Sequence, residues 1–150
     1  MKDIKPSEYI VFDAKDKILG RLASSVAKEL IGGKKVAIIN AEQSIISGRK
    51  KLIKEKYKTR LGLQEKENPE HSPYWSRRPD FLVKRVVRGM LPYHRKTTGK
   101  EAYKRLIVFV GTPEAFKGVK PIEIKTKDPK TLYAGYVKVS ELSEMLGYQR

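Results

Sequence analysis

Hydrophobic positions near the N-terminus predict a strand, a helix and a second strand in direct succession. The apolar run at residues 9–12 ends in a polar turn, as expected of a buried strand. The next apolar residues recur at three- and four-residue steps and so share one helix face: Leu19, Leu22, Ala23, Val26, Ala27 and Leu30. Gly32 and Gly33 predict a left-handed end to that helix, and a second apolar run follows at 36–39. This βαβ unit holds its two strands parallel, so the predicted fold class is α/β.

The C-terminal third predicts further strands and a short helix. Residues 106–110 are apolar on both faces, which indicates a central strand of the sheet. Residues 136–139 predict another strand, and Ser140 begins a short helix that ends at Gly147. The stretch 112–135, with its prolines and glycines, is typical of an irregular surface connection.

Two predicted helices in the middle of the chain are apolar on one side and basic on the other. The first runs from about Lys50 to Arg60, and its narrow apolar stripe consists of Ile53, Tyr57 and Leu61. The second begins at Pro79, a favoured first helical residue, and half of its circumference is apolar. Its other half consists of Arg78, Phe81, Lys84, Arg85 and Arg88. Arginine binds phosphate bidentately, so this second helix suits a polyanion.

The charge of the chain is concentrated in the same region. The 150 residues carry 33 Lys and Arg against 17 Asp and Glu, a net charge of +16. The segment 47–105, called the basic segment below, holds 18 and 6 of these, which leaves +12, whereas each flank is close to neutral. The basic residues could instead be a solvent-exposed helix face without a partner. Such faces, however, normally contain both positive and negative residues, which form ion pairs with each other. The excess therefore predicts a polyanionic partner.

A polar loop at 64–76 precedes the second helix, and a basic turn at 92–96 follows it. Loops of that length inside a compact domain are either functional or disordered. Tyr74 and Trp75 suit stacking on RNA bases, while the alternative is that Trp75 packs back onto the domain. Thr98 and Glu101 predict a capping box for a short helix that carries Lys100.

The composition removes several classes of function. With no cysteine there is no disulfide, thiolate nucleophile, cysteine zinc site or iron–sulfur cluster. Two histidines and no tight acidic cluster predict no metal site, and Gly32-Gly33-Lys34 lacks the spacing and position of a phosphate loop. We therefore expect no catalytic residue, cofactor or small-molecule substrate. The apolar runs are too short for a signal peptide or a membrane span, which predicts a soluble protein.

Three other polyanion binders remain open at this point. A free-standing factor that binds or modifies RNA would have the same charge. We find no set of catalytic residues in the sequence for an RNA-modifying enzyme. An anionic membrane surface needs a free apolar helix face, whereas the apolar faces here look committed to a core. DNA is not excluded by charge alone.

Short motifs in a fixed order from about residue 9 to 111 carry a family resemblance. They are Val-Phe-Asp-Ala at 11–14, Leu-Gly-Arg-Leu-Ala-Ser at 19–24, Ser-Gly at 47–48, Arg-Pro-Asp at 78–80, Arg-Gly-Met-Leu-Pro at 88–92 and Gly-Lys at 99–100. This set resembles the universal large-subunit ribosomal protein thirteen family. The compact length, without the N-terminal extension of bacterial members, is similar to the archaeal type. Lys100 stands where the family more often has Arg.

The resemblance implies a structural, non-enzymatic protein of the large ribosomal subunit in the cytoplasm. It implies one domain over residues 1–150, with three α/β/α layers around a four-stranded parallel or mixed sheet. Its partners are large-subunit ribosomal RNA and neighbouring ribosomal proteins, and it supports subunit assembly. On matching positions, Arg78, Arg88, the turn after Pro92 and Lys100 are implied to contact the RNA.

The charge pattern and the resemblance together give the candidate RNA-binding residues. They are Arg49, Lys50, Lys51, Lys54, Lys58, Trp75, Arg77, Arg78, Lys84, Arg85, Arg88, Tyr93, His94, Arg95, Lys96 and Lys100. RNA helices display phosphates and 2′-hydroxyls, so we expect recognition of shape and backbone with few base-specific contacts. We also expect the isolated protein to need high salt for solubility and its basic loops to become ordered on binding.

Overall fold

The computed structural model describes residues 5–124 and 131–149, in which helices and strands follow each other closely. In chain order they are β1 (Tyr9–Asp13), α1 (Leu19–Ile31), β2 (Lys35–Ile39), β3 (Ile45–Ser47), α2 (Lys50–Gly62), α3 (Pro79–Met90), α4 (Thr97–Lys104), β4 (Leu106–Val108), β5 (Tyr136–Lys138) and α5 (Val139–Met145). The predicted βαβ unit is confirmed: β1 and β2 are parallel, and all six predicted apolar residues of α1 are buried. Of the two glycines after α1, Gly33 has the left-handed backbone, at φ 88°.

Three parallel strands form the main sheet, in the order β1, β2, β4. The prediction of a central strand at 106–110 is wrong, because β2 is in the middle and β4 lies at the edge of the described sheet. β4 is nevertheless apolar on both sides, since both faces of the sheet are covered. The prediction of one four-stranded sheet is not confirmed: β5 pairs antiparallel with β3, a strand that the sequence pattern did not predict.

Helices cover one face of the main sheet, and an irregular segment covers the other. On the first face α1 packs against α3 and α4 around a large core that includes Leu22, Val83 and Leu106. On the second face Val11 and its neighbours contact Phe116, which comes from a short 3-10 turn and is only 2% exposed. The stretch 112–135 is therefore not entirely a surface connection, although residues 125–130 lie outside the described part of the chain. A three-layer α/β/α arrangement is not confirmed.

A second, smaller core holds α2 in place. The apolar stripe of α2 is confirmed: Ile53 is buried, and Tyr57 and Leu61 are half-buried against Val137 and Leu142 of β5 and α5. Because this stripe faces inward, the lysines on the opposite side of α2 face solvent.

The start of α4 differs from the prediction. The capping box is wrong, because α4 begins at Thr97 after Lys96, with no side-chain hydrogen bond at its cap. The Lys96 amide donates to the Pro92 carbonyl at 3.1 Å, so the preceding turn leads directly into the helix. Gly99 lies so close to the backbone of this turn that a Cβ at residue 99 would be 2.4 Å from the Pro92 oxygen.

Candidate nucleic-acid interface

The two basic helices border one surface. A cavity of about 340 Å³ lies between them, lined by Tyr57 and Arg60 of α2 and by Arg85 and Arg88 of α3. Trp75, from the loop that joins the helices, lines the same cavity. The structure therefore brings together candidate residues from three separate parts of the basic segment.

Two arginines lie over the ring of Trp75. The guanidinium carbon of Arg85 lies 3.4 Å from the centre of its ring, and that of Arg60 lies 4.9 Å away. The Arg85 Nη1 also donates to the Tyr74 carbonyl oxygen at 2.7 Å. Trp75 is half-buried, and its Nε1 is buried without a hydrogen-bond partner among the described residues. Of the two alternatives for Trp75, the structure has the one in which it packs back onto the domain.

A second group of cations rests on tyrosine rings beside α3. The Arg88 guanidinium lies 5.4 Å from the Tyr93 ring, and the Lys84 Nζ lies 5.1 Å from the Tyr103 ring. The two tyrosine rings meet edge to face at 5.3 Å. Each cation is thus positioned by an aromatic face while its charge remains available to a ligand.

Positive charges are held close together in this region. Burial lowers the pKa of the Arg85 guanidinium, and the neighbouring charges of Arg88 and Arg60 lower it further. Like charges repel, so an anion bound here relieves an unfavourable interaction in addition to making its own contacts. Perturbed groups around a cavity are typical of a binding site.

Some candidates already have partners within the chain. Lys50 forms an ion pair with Glu141 of α5. The Arg77 guanidinium lies beside the end of α5, where a Cβ on Gly147 would be 3.3 Å from its Nη1. Arg78 holds the Asp80 carboxylate with two hydrogen bonds, of 3.2 and 2.9 Å. The carboxylate partners of Lys50 and Arg78 reduce the charge that these two residues offer to a ligand.

The remaining candidates lie along the outside of the same helices and turn. Lys54 is half-buried, and the exposed residues are Arg49, Lys51, Lys58, His94, Arg95, Lys96 and Lys100. Three residues outside the predicted set also belong to the clusters around Trp75 and Tyr93: Tyr57, Arg60 and Tyr103. Tyr57 and Arg60 are three apart on α2, a spacing that brings an aromatic ring and a cation together and is readable from sequence.

Other kinds of site find no support in the part of the chain that the structure describes. No three His, Cys, Asp or Glu side chains there are arranged to hold a metal ion. None of the described helices has the length and hydropathy to span a membrane.

Comparison with known proteins decides the family. The sequence profile described as Ribosomal protein L13 matches residues 7–115. The chain belongs to the ribosomal protein L13 family. It is similar to proteins named Large ribosomal subunit protein uL13 from three archaea. That of Methanopyrus kandleri is 42% identical over 99% of this chain and 92% of its own length. Those of Methanosarcina barkeri and Archaeoglobus fulgidus are 43% and 38% identical, over 91% and 95% of this chain and 96% and 90% of their own lengths.

The L13 match contains the whole basic segment. Residues 47–105 fall within 7–115, as do the motifs that carried the resemblance. The predicted family and its archaeal type are confirmed by these relatives. The near-neutral C-terminal flank beyond residue 115 lies outside the profile match but inside the alignment with the Methanopyrus protein.

Proposed function

We propose that this protein is a structural constituent of the large ribosomal subunit that binds large-subunit ribosomal RNA and supports subunit assembly. Its membership of the L13 family, and relatives that are named as large-subunit proteins, support this function. The protein then acts in the cytoplasmic ribosome beside other ribosomal proteins, with a binding role and no catalytic one.

The observation that carries the proposal is the cluster of Arg60, Arg85 and Arg88 within a segment of net charge +12. RNA phosphates supply the counter-charge that this cluster lacks, and the aromatic rings beneath the cations fix where the phosphates sit. Arg85, Arg88 and Lys84 form the centre of the proposed site. Lys50 and Arg78 contribute less, because each is paired with a carboxylate within the chain.

Titration onto large-subunit ribosomal RNA at several salt concentrations tests the proposal. If about eight phosphates are neutralised, log K falls with log salt with a slope of roughly −7. Arg88→Ala weakens binding and makes the slope less steep by about 1, since one phosphate contact is lost. Lys117→Ala, in the near-neutral flank, is the matched control and leaves both quantities unchanged. An affinity that does not depend on salt contradicts the proposal.

A free-standing RNA-binding factor is distinguished by sedimentation. We expect the protein to sediment with large subunits at a salt concentration where its affinity for the ribosomal RNA is high. If it sediments as free protein under those conditions, the rival function replaces the proposed one.

A further inference from the structure

A second cavity, of about 450 Å³, lies on α3 next to the cavity between the helices. The residues that characterise it are Tyr74, Ser76, Arg78, Phe81, Arg85 and Tyr103. Arg85 and Arg88 line both cavities, so the two are neighbours along the helix. Among the described residues that line the second cavity there are three arginines and no carboxylate.

Two aromatic side chains of this cavity are open to solvent. Tyr74 is 86% exposed and Phe81 is 47% exposed, whereas the other hydrophobic face of α3 is buried in the core. Phe81 stands four and seven residues before Arg85 and Arg88, so the three share one face of α3. Tyr74 is held near them because its carbonyl oxygen accepts the hydrogen bond from Arg85.

The lining selects the chemistry of the occupant. The guanidinium groups of Arg85 and Arg88 repel a cation, and the exposed rings favour a flat aromatic group. A flat aromatic group joined to an anion is what a nucleotide provides. The volume lies in the range of small-ligand sites and is large enough for one nucleotide. Trp75 is less open to a base than Phe81, since it is half-buried and two arginines, Arg85 and Arg60, lie 3.4 and 4.9 Å from the centre of its ring.

We infer that this cavity takes one unpaired nucleobase of the bound RNA, stacked on Tyr74 and Phe81, while Arg85 and Arg88 hold its adjoining phosphates. Arg78 forms a wall of the site, because Asp80 fixes its guanidinium 5.0 Å from the Phe81 ring. The inference rests on the proposed function and sharpens it: the RNA segment bound at α3 is a bulge, loop or end with an unpaired base. Recognition at this point is then not of a regular helix backbone alone.

The test uses the full chain and large-subunit ribosomal RNA. We compare the double variant Tyr74→Ala/Phe81→Leu with the wild type across a salt series. Base stacking on aromatic side chains is sequence-tolerant and independent of cations, so we expect affinity to fall at least about tenfold with an unchanged salt slope. Tyr133→Ala removes a fully exposed tyrosine from outside the basic segment and is expected to bind as the wild type does.

Ultraviolet crosslinking supplies the second measurement. Tryptic peptides of the crosslinked wild-type complex are expected to carry a nucleotide on the peptide with Tyr74 or on that with Phe81. Circular dichroism verifies that the double variant is folded, and Phe81→Leu alone replaces it if it is not.

The outcomes distinguish failure of the base site from failure of the proposed function. Unchanged affinity of the aromatic variant, or an RNA crosslink map without these two peptides, overturns the base site. If Arg88→Ala still weakens binding in that case, the proposed function stands without the base site. If the wild type binds ribosomal RNA without salt dependence, the proposed function itself fails.

Discussion

The guanidinium carbon of Arg85 lies 3.4 Å from the centre of the Trp75 ring, while the same guanidinium donates to the carbonyl of Tyr74. One arginine of α3 therefore fastens the polar loop that joins α2 to α3. Trp75 is the single tryptophan of the chain, so its fluorescence reports on this contact without interference from another indole.

Replacing Arg85 with alanine is expected to release Trp75. The stacking contact and the hydrogen bond are both lost, so the indole becomes more exposed and its emission moves to longer wavelength. Stability falls by about 1–2 kcal/mol, the size of one cation–π contact and one charged hydrogen bond in a partly exposed place. Fluorescence spectra and urea unfolding measure the two effects. Arg95→Ala, in the exposed turn, is the control, and an unchanged spectrum for Arg85→Ala contradicts the contact.

Gly99 is expected to tolerate no side chain. A Cβ there would lie 2.4 Å from the Pro92 oxygen and 2.8 Å from the Tyr93 nitrogen, both backbone atoms. Gly99→Ala therefore shifts the basic turn against α4 and costs about 1–3 kcal/mol, as overpacking does elsewhere. Thermal or urea unfolding measures this loss.

Gly89 supplies the matched control for that substitution. It lies in α3, and nothing comes within 4 Å of a Cβ at this position. Gly89→Ala is expected to stabilise the protein by about 0.5–1 kcal/mol through helix propensity. If Gly99→Ala stabilises the protein as Gly89→Ala does, the close approach at Gly99 does not exist in solution.

Releasing Lys50 from its partner is expected to strengthen RNA binding. Glu141→Gln removes the carboxylate that pairs with Lys50, and the freed ammonium becomes available to phosphate. We expect higher affinity and a salt slope steeper by up to about 1. The stability changes by less than about 1 kcal/mol, because the pair is on the surface.

A control on the same helix separates the loss of this ion pair from the change in net charge. Glu144→Gln also removes one negative charge from α5, but Glu144 is not the partner of Lys50. A salt slope that steepens equally in both variants shows that Lys50 is not the cause.

The regular elements were predictable from sequence where their signal is local. The βαβ unit and the two basic helices follow from hydrophobic spacing within some fifteen residues at a time. β3 has three residues, too few to show a period, and its pairing with β5 joins positions about ninety apart. The edge position of β4 is equally a property of the whole fold, since an edge strand covered on both faces has the composition of a central one.

The positive charge of the candidate surface and the segment that carries it were predictable from sequence, but its individual side-chain contacts were not. The charge count identifies the segment, because it needs no knowledge of contacts. It does not reveal that Lys50 pairs with a carboxylate on α5, or that Arg60 and Arg85 both contact Trp75, since those contacts join separate parts of the chain. The same distant contacts decide which aromatic side chain remains open to a base.

Alkaline pH is expected to destabilise the fold through two tyrosines. Burial raises the pKa of both Tyr57 and Tyr103 above the ordinary value, although nearby arginines partly oppose the shift. The neutral phenol is thus favoured in the folded state, and the resulting stability is present below pH about 10 and lost as pH rises through the higher folded value. Urea unfolding from pH 8 upward measures the loss. Tyr57→Phe is expected to show a weaker pH dependence in this range, and an identical dependence contradicts the assignment.

The segment that covers the second face of the sheet is expected to matter for stability and not for RNA binding. Phe116 is 2% exposed and contacts Val11, Ala37 and Ile39 from the face opposite α3. Phe116→Ala leaves a cavity and costs about 3–5 kcal/mol in urea unfolding, whereas Lys117→Ala at the neighbouring exposed position changes stability by less than about 0.5 kcal/mol. At a temperature where the Phe116 variant is still folded, its affinity for ribosomal RNA equals that of the wild type. A loss of affinity there, with stability unchanged, contradicts the assignment of this segment to the core.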